Sequence, residues 1–315
     1  MKYPKLLRNF LFCLKQGKIL SLVLVLVLAF FIECKADSSE VDIKVEAEIE
    51  KSGYIGEVFS YIVTLKSTSP DISNVKIVKN PSFPKDFTVI KGIAGNGRPQ
   101  QIKEKGRTYY KWTIIRNFLI PNKEGKFSIS DAELIAFLPH EKVVYHDFWG
   151  PRRMIEYKEV RLTVKDKDIK VMSLPKSNEQ EFAGCIGEFT LDAWFPPGYI
   201  SPGKEAYAVF TISGFGSLEH LSIPNLAKLF VKQCKLKKVD QDEEQSQKDG
   251  KLYNIVKLTC TFVPETDNFE ILPLSLKFFN PKQGKYYTIT SESLEWKGNS
   301  DGKTKGKTRN NVIDI

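Results

Sequence analysis

Histidine is scarce: the chain carries three in 315 residues, so imidazole chemistry has little to work with. His220 stands between Glu219 and Leu221 with no nucleophile near it in sequence, and reads as a surface residue. His140 and His146, beside Glu141 and Asp147, are residue types that can gather a metal. The pair straddles an expected turn, however, and fits neither a helical i, i+4 spacing nor one strand face, so exposed loop histidines are the expectation. The Gly-x-Ser-x-Gly elbow and the phosphate-binding loop are missing too. Gly95 to Arg98 is a turn with no helix behind it. No amphipathic helical stripe is present, and beyond residue 32 no run is apolar enough to span a bilayer. These absences exclude the commonest catalytic constellations, so a non-enzymatic chain without cofactor or metal is expected.

Acidic residues are outnumbered 38 to 47, a formal charge of +9 that invites a nucleic-acid reading. The excess is misplaced for it. Residues 1–36 hold six basic side chains against Glu33, a net of +5, which leaves +4 for the remainder. Lys297, Lys303, Lys305, Lys307 and Arg309 then sit in the tail. The middle of the chain is close to neutral and offers no footprint for nucleic acid.

The basic N-terminal stretch leads into residues 19–32, fourteen residues with a single hydroxyl. That is short for a spanning helix, which wants about 20 apolar residues, and right for a signal-peptide core of about 7–15. Cys34 and Ala36 supply small residues before Asp37, so cleaved export is expected. An uncleaved anchor, or lipid processing at Cys34, are the other readings. Each puts the folded part outside the cytoplasm, in the periplasm or on a membrane facing it.

What the chain does have is a repeat. Gly106, Tyr109, Pro121, Phe127 and Phe137 recur as Gly250, Tyr253, Pro264, Phe269 and Phe279, with offsets of 144, 144, 143, 142 and 142. One order of features drifting so little implies two copies of one domain, each long enough to bury its own core. The 21 Phe and 12 Tyr favour strands. Residues 41–49 alternate apolar and polar; 52–57 read as a turn; 58–65 follow as a strand with Tyr61, Val63 and Leu65 on one side. In the second copy 189–194, 206–213 and 229–239 read as strands, broken by glycine and proline. The expected fold is all-β: two tandem immunoglobulin-like β-sandwiches after an N-terminal signal or anchor segment. The expected parts are 1–36 leader, 37–165 first sandwich, 166–183 linker, 184–297 second sandwich and 298–315 disordered polar tail.

The second copy resembles the BatD family of the Bacteroides aerotolerance operon. The likeness runs through Thr211 to Leu218, Ile223 to Leu226, Phe262 to Pro264, and Phe269 to Ser291, where a Pro281-Lys282-x-Gly284 turn joins two strands. The first copy is looser, through Ile120 to Ile129 and Lys158 to Val164. The resemblance implies an exported, membrane-associated interaction module. Its partners would be von Willebrand A-domain membrane proteins, in a cell-envelope complex linked to oxygen and stress tolerance. A surface adhesin or glycan-binding protein is the alternative, and a metallohydrolase on His140 and His146 a third. Many members carry a transmembrane helix after the sandwiches, whereas this tail is hydrophilic, so any tether would be the N-terminal segment.

Three segments stand out as sites. Residues 139–154 gather Tyr145, Phe148, Trp149, Arg152 and Arg153, types enriched at interface hot spots. The plainer reading makes Phe148 and Trp149 a cap on the first sandwich or its seat against the second. Residues 240–250 form the most acidic stretch, expected as a solvated hairpin loop; Asp242, Glu243 and Glu244 could each complete an A-domain's open cation site. Cys234 and Cys260 flank that loop and could form a disulfide, or pack as free thiols with Cys185.

Overall fold

Alternating sequence becomes strand almost throughout. The structure, a computed structural model, describes residues 41–95, 97–176, 182–230, 233–298 and 313–314. The leader at 1–36 lies outside them, as does most of the tail. Among the described residues the one helical element is a 3₁₀ turn at Leu226–Leu229, capped by the Asn225 side chain.

In the first repeat, β1 (Ile43–Glu48), β3 (Phe59–Ser67), β7 (Arg107–Pro121) and β5 (Phe87–Lys91) form one sheet in that order, with β6 (Gln100–Glu104) on the other end of β7. A second sheet runs β10 (Gly150–Val164), β9 (Ala132–Asp147), β4 (Asn74–Lys79). A third joins β2 (Ser52–Tyr54), β11 (Lys167–Met172) and β8 (Gly125–Ile129). Two expectations are corrected here. Residues 52–54 are a strand inside the expected turn, and Lys167–Met172, inside the expected linker, pairs with β8 on one side and β2 on the other. Ile169 and Val171 explain the second: two alternate apolar side chains in a polar stretch, both buried.

The second repeat copies the pairing. Its large sheet runs β14 (Cys234–Lys248), β15 (Lys251–Pro264), β13 (Ala206–Ser217), β12 (Phe182–Trp194), β17 (Ser275–Asn280), β18 (Lys285–Thr290) and β20 (Ile313–Asp314). A small one pairs β16 (Asn268–Ile271) with β19 (Leu294–Lys297). β6–β7–β3–β1 corresponds to β14–β15–β13–β12, and β8–β11 to β16–β19. The repeated glycines sit in matching two-residue turns: Lys105-Gly106 (φ 50°, 80°) and Asp249-Gly250 (φ 49°, 74°). Both residues at positive φ is the type I′ hairpin signature, whose twist matches the strands it joins. In the tail, Ile313 and Asp314, expected to be disordered, pair with Thr288 and Tyr287.

Each repeat has its own core. The first is built around Phe59, Tyr61, Val63, Leu119, Ile129 and Leu134; the second around Phe210, Leu258, Cys260, Phe262, Ile271 and Leu276. A smaller cluster joins them, with Phe118 and Ile120 from the first repeat against Leu252 from the second. Around it, Arg116 Nη1 donates to the Gly250 carbonyl (2.9 Å), and the Gln247 amide both accepts from Ile93 N (2.8 Å) and donates to Ile93 O (3.3 Å). Tyr54 meets Phe279 edge-on at 4.9 Å, and Thr88 Oγ1 donates to Glu219 Oε1 at 2.7 Å. From Ile43 onward the chain is one compact unit.

Candidate interaction surfaces

The β9–β10 hairpin changes character halfway along. Near its root, Ala132, Leu134, Ala136 and Leu138 alternate into the core, and β4 covers the outer edge of β9 as far as Asn74 opposite Phe137. Beyond His140 the two strands continue paired to each other alone among the described pairings, ending with Gly150 opposite Asp147. The reversal falls on Phe148 and Trp149. They are 94% and 81% exposed, with rings edge to face at 5.6 Å. Neither is a turn-forming residue, so turn chemistry does not account for them. The reading of this pair as a cap or a seat between repeats is therefore corrected: it stands clear of both cores. Val144, Met154, Ile155 and Tyr157 on the same ribbon are exposed as well. Tyr145 lies opposite Arg152, and Val144 opposite Arg153. His140 and His146 both lie on β9 and are both exposed, with no turn between them; an irregularity in the pairing falls at His140.

Asp242, Glu243 and Glu244 are not in a loop. They belong to β14, fully paired along one side with Lys257, Val256 and Ile255 of β15, and the chain reverses only at Asp249-Gly250. β14 is the outer strand of the large sheet, and from Asp242 to Gln245 every residue is exposed. Backbone pairing with β15 holds this acidic, loop-like sequence as a strand, and charged residues along an edge strand keep it from pairing with stray strands. Strand alternation puts Asp242 and Glu244 on one face and Glu243 on the other, so the three cannot converge on one ion. Glu243 accepts from Gln241 Nε2 at 2.7 Å. Among the described residues no group of three or more His, Cys, Asp or Glu is placed to hold a metal.

A third feature had no sequence signal because distant segments build it. Between the repeats lies a cavity of about 280 Å³, lined by Glu57, Ser60, Phe118, Ile186, Glu188 and Lys282 among others. Burial pushes the Glu57 carboxyl above the usual carboxylate range, although Tyr54 N donates to it at 2.9 Å. Glu188 is held below that range by Lys282 Nζ, 3.0 Å away. Gly56, at φ 76°, lets the chain pass close to Ile186; a Cβ there would sit 2.5 Å from its Cδ1.

Of the two readings of the cysteines, the structure has the free thiols and not the Cys234–Cys260 bridge. Cys185, Cys234 and Cys260 are free and buried. Cys234 lies opposite Pro264 and Cys260 opposite Val239, so the two are staggered by four positions along β15. At about 3.3 Å per residue that is roughly 13 Å, beyond the 4.4–6.8 Å between Cα atoms of a disulfide.

In comparisons with known proteins, no family model and no curated protein matches this chain.

Proposed function

We propose that this chain is a BatD-like, exported, non-enzymatic interaction module: two immunoglobulin-like sandwiches in a cell-envelope complex with von Willebrand A-domain membrane proteins, serving oxygen or stress tolerance. It would face the periplasm, free or held by its N-terminal segment. The observation that carries the reading is the open edge of β14, where Asp242, Glu243 and Glu244 stand in solvent on a strand braced at its far end by the other repeat. An A-domain cation with one open coordination position needs a single partner carboxylate, and an oxygen of this kind suits a hard ion. Strand geometry supplies one from either face.

The test is capture of co-expressed A-domain proteins from native membranes by the tagged chain, with and without chelator. Capture should require the divalent cation and vanish when Asp242, Glu243 and Glu244 are all replaced by Ser. Capture that ignores both would remove the reading. The second reading, a glycan-binding adhesin, draws on the exposed Phe148–Trp149 pair, since aromatic faces suit sugar stacking. It would be favoured by glycan binding that persists without the A-domain proteins and is lost in Trp149→Ala.

A further inference from the structure

We propose that two copies of this chain pair through their β9–β10 hairpins. The hairpins lie antiparallel about a two-fold axis, and Phe148 and Trp149 of each copy seat in a groove at the root of the other's hairpin. This surface is separate from the β14 edge and does not depend on what that edge binds.

Four observations converge on it. The outer ribbon, residues 139–157, pairs only with itself among the described pairings. A lone two-stranded ribbon is marginal in water, so a ribbon of this length needs a covering surface. It also leaves apolar side chains in solvent along its sides (Val144 49%, Met154 51%) and at its tip.

A receptor for that tip lies on the same molecule, out of its own reach. The groove at the hairpin root has a volume of about 470 Å³ and is lined by Pro70, Ile72, Pro139, His140, Ile155 and Tyr157 with Asp71 and Ser73. From Pro139 to Phe148 the ribbon extends roughly 30 Å at about 3.3 Å per residue. The tip of one copy therefore reaches the root groove of an antiparallel second copy and cannot fold back into its own.

Charge along the ribbon is polarised the same way. The tip end carries Asp147, Arg152 and Arg153, a net of +1; the root carries Asp71, Glu141, Lys142 and Glu156, a net of −2. Antiparallel pairing about a two-fold axis sets each positive tip against a negative root, twice, as a self-complementary interface must. Residues 139–157 as a whole carry three acidic and three basic side chains. A neutral ribbon has no net attraction to an anionic bilayer, which favours a second copy over a lipid surface.

The test is disulfide trapping in the full chain, expressed in its own cells. Trp149→Cys with Ile72→Cys should give a cross-linked dimer on mild oxidation, because within one copy the two positions are too far apart to bridge. The unsubstituted chain and each single variant set the background. Adding Arg152→Glu and Arg153→Glu should cut the cross-linked fraction about tenfold. Adding Glu141→Lys and Glu156→Lys to that variant should restore it. Three outcomes would overturn the proposal: no dimer above background from a protease-resistant double variant; equal dimer from Trp149→Cys alone, which would mean tip meets tip; or charge exchange that fails to restore trapping. A trapped species containing another protein, or one lost on stripping the membrane, would assign the tip to that partner or to lipid instead.

Discussion

Leu252 should be worth more to the fold than its address at the start of a β-strand implies. It is 3% exposed, and its buried neighbours Phe118 and Ile120 (1% and 2%) come from the other repeat, with Val58 and Ile90 packed against them. Leu252→Ala removes three carbon groups, about 0.8 kcal/mol each in transfer free energy, and leaves a cavity that close-packed β7 cannot collapse into. The expected cost is about 2.5–5 kcal/mol. For a unit of this size that is roughly 5–20 °C in Tm, at about 2–4 °C per kcal/mol. The reporter matters more than the total. Hydrogen exchange followed by mass spectrometry should show protection falling in β7 as well as in β15, because the lost contact belongs to both repeats. Phe210→Ala, wholly inside the second core, should cost about 3–5 kcal/mol and loosen the second repeat ahead of the first. If Leu252→Ala lowers protection in β15 alone, or costs under about 1 kcal/mol, the repeats are stable independently and the shared cluster is incidental.

Gly216→Ala should be among the most damaging small changes. Gly216 sits at φ 143° opposite Gly187, and a Cβ there would lie 2.2 Å from the Ile186 carbonyl oxygen. Strain and overpacking together should cost about 3 kcal/mol in a urea melt, whereas Gly97→Ala, with open space around it, should cost about 1–2. Alkaline pH should unfold the chain cooperatively. Burial pushes the Cys185 and Cys260 thiols up to about 12, the Cys234 thiol to about 11 with help from Glu265, and the Tyr61 phenol to about 12. These groups stay neutral in the fold while the unfolded chain ionises, so their contribution is complete below about pH 9 and falls as pH rises toward 12. Stability that is flat to pH 11 would contradict that burial. Alkylation with peptide mapping should leave all three thiols unmodified in the fold and modify all three in denaturant without reductant; one modified thiol would mean a bridge after all.

The legible part of the fold was the part written in local pattern. The period-two stretch before Ile49 and the run containing Tyr61, Val63 and Leu65 appear as strands where expected, and the matched Gly106 and Gly250 fall in matching turns. Composition misled at β14, where carboxylates suggested a loop. Backbone pairing with β15 decides that strand, and side chains on an exposed edge have no need to be apolar. The same error hid β11, whose two apolar residues were outvoted by charged neighbours. For Phe148 and Trp149 the sequence left two readings open: large aromatics usually seek a core, and only the register of β9 with β10 puts them beyond one. The inter-repeat cavity could not be read at all, since Glu57, Ser60, Glu188 and Lys282 are far apart in sequence and come together only where the two repeats pack.

The cluster that joins the repeats also sets a clock. Phe118 and Ile120 leave the ribosome some 130 residues before Leu252. At roughly 5–20 residues per second, the first repeat waits on the order of ten seconds with that surface uncovered. For that interval the nascent chain presents an apolar patch, a target for holding factors and for other nascent copies. An exported chain carried unfolded to its compartment would meet the same gap as the second repeat emerges behind the first. Passenger order is therefore built into the architecture: the half that arrives first is the half that must be kept company.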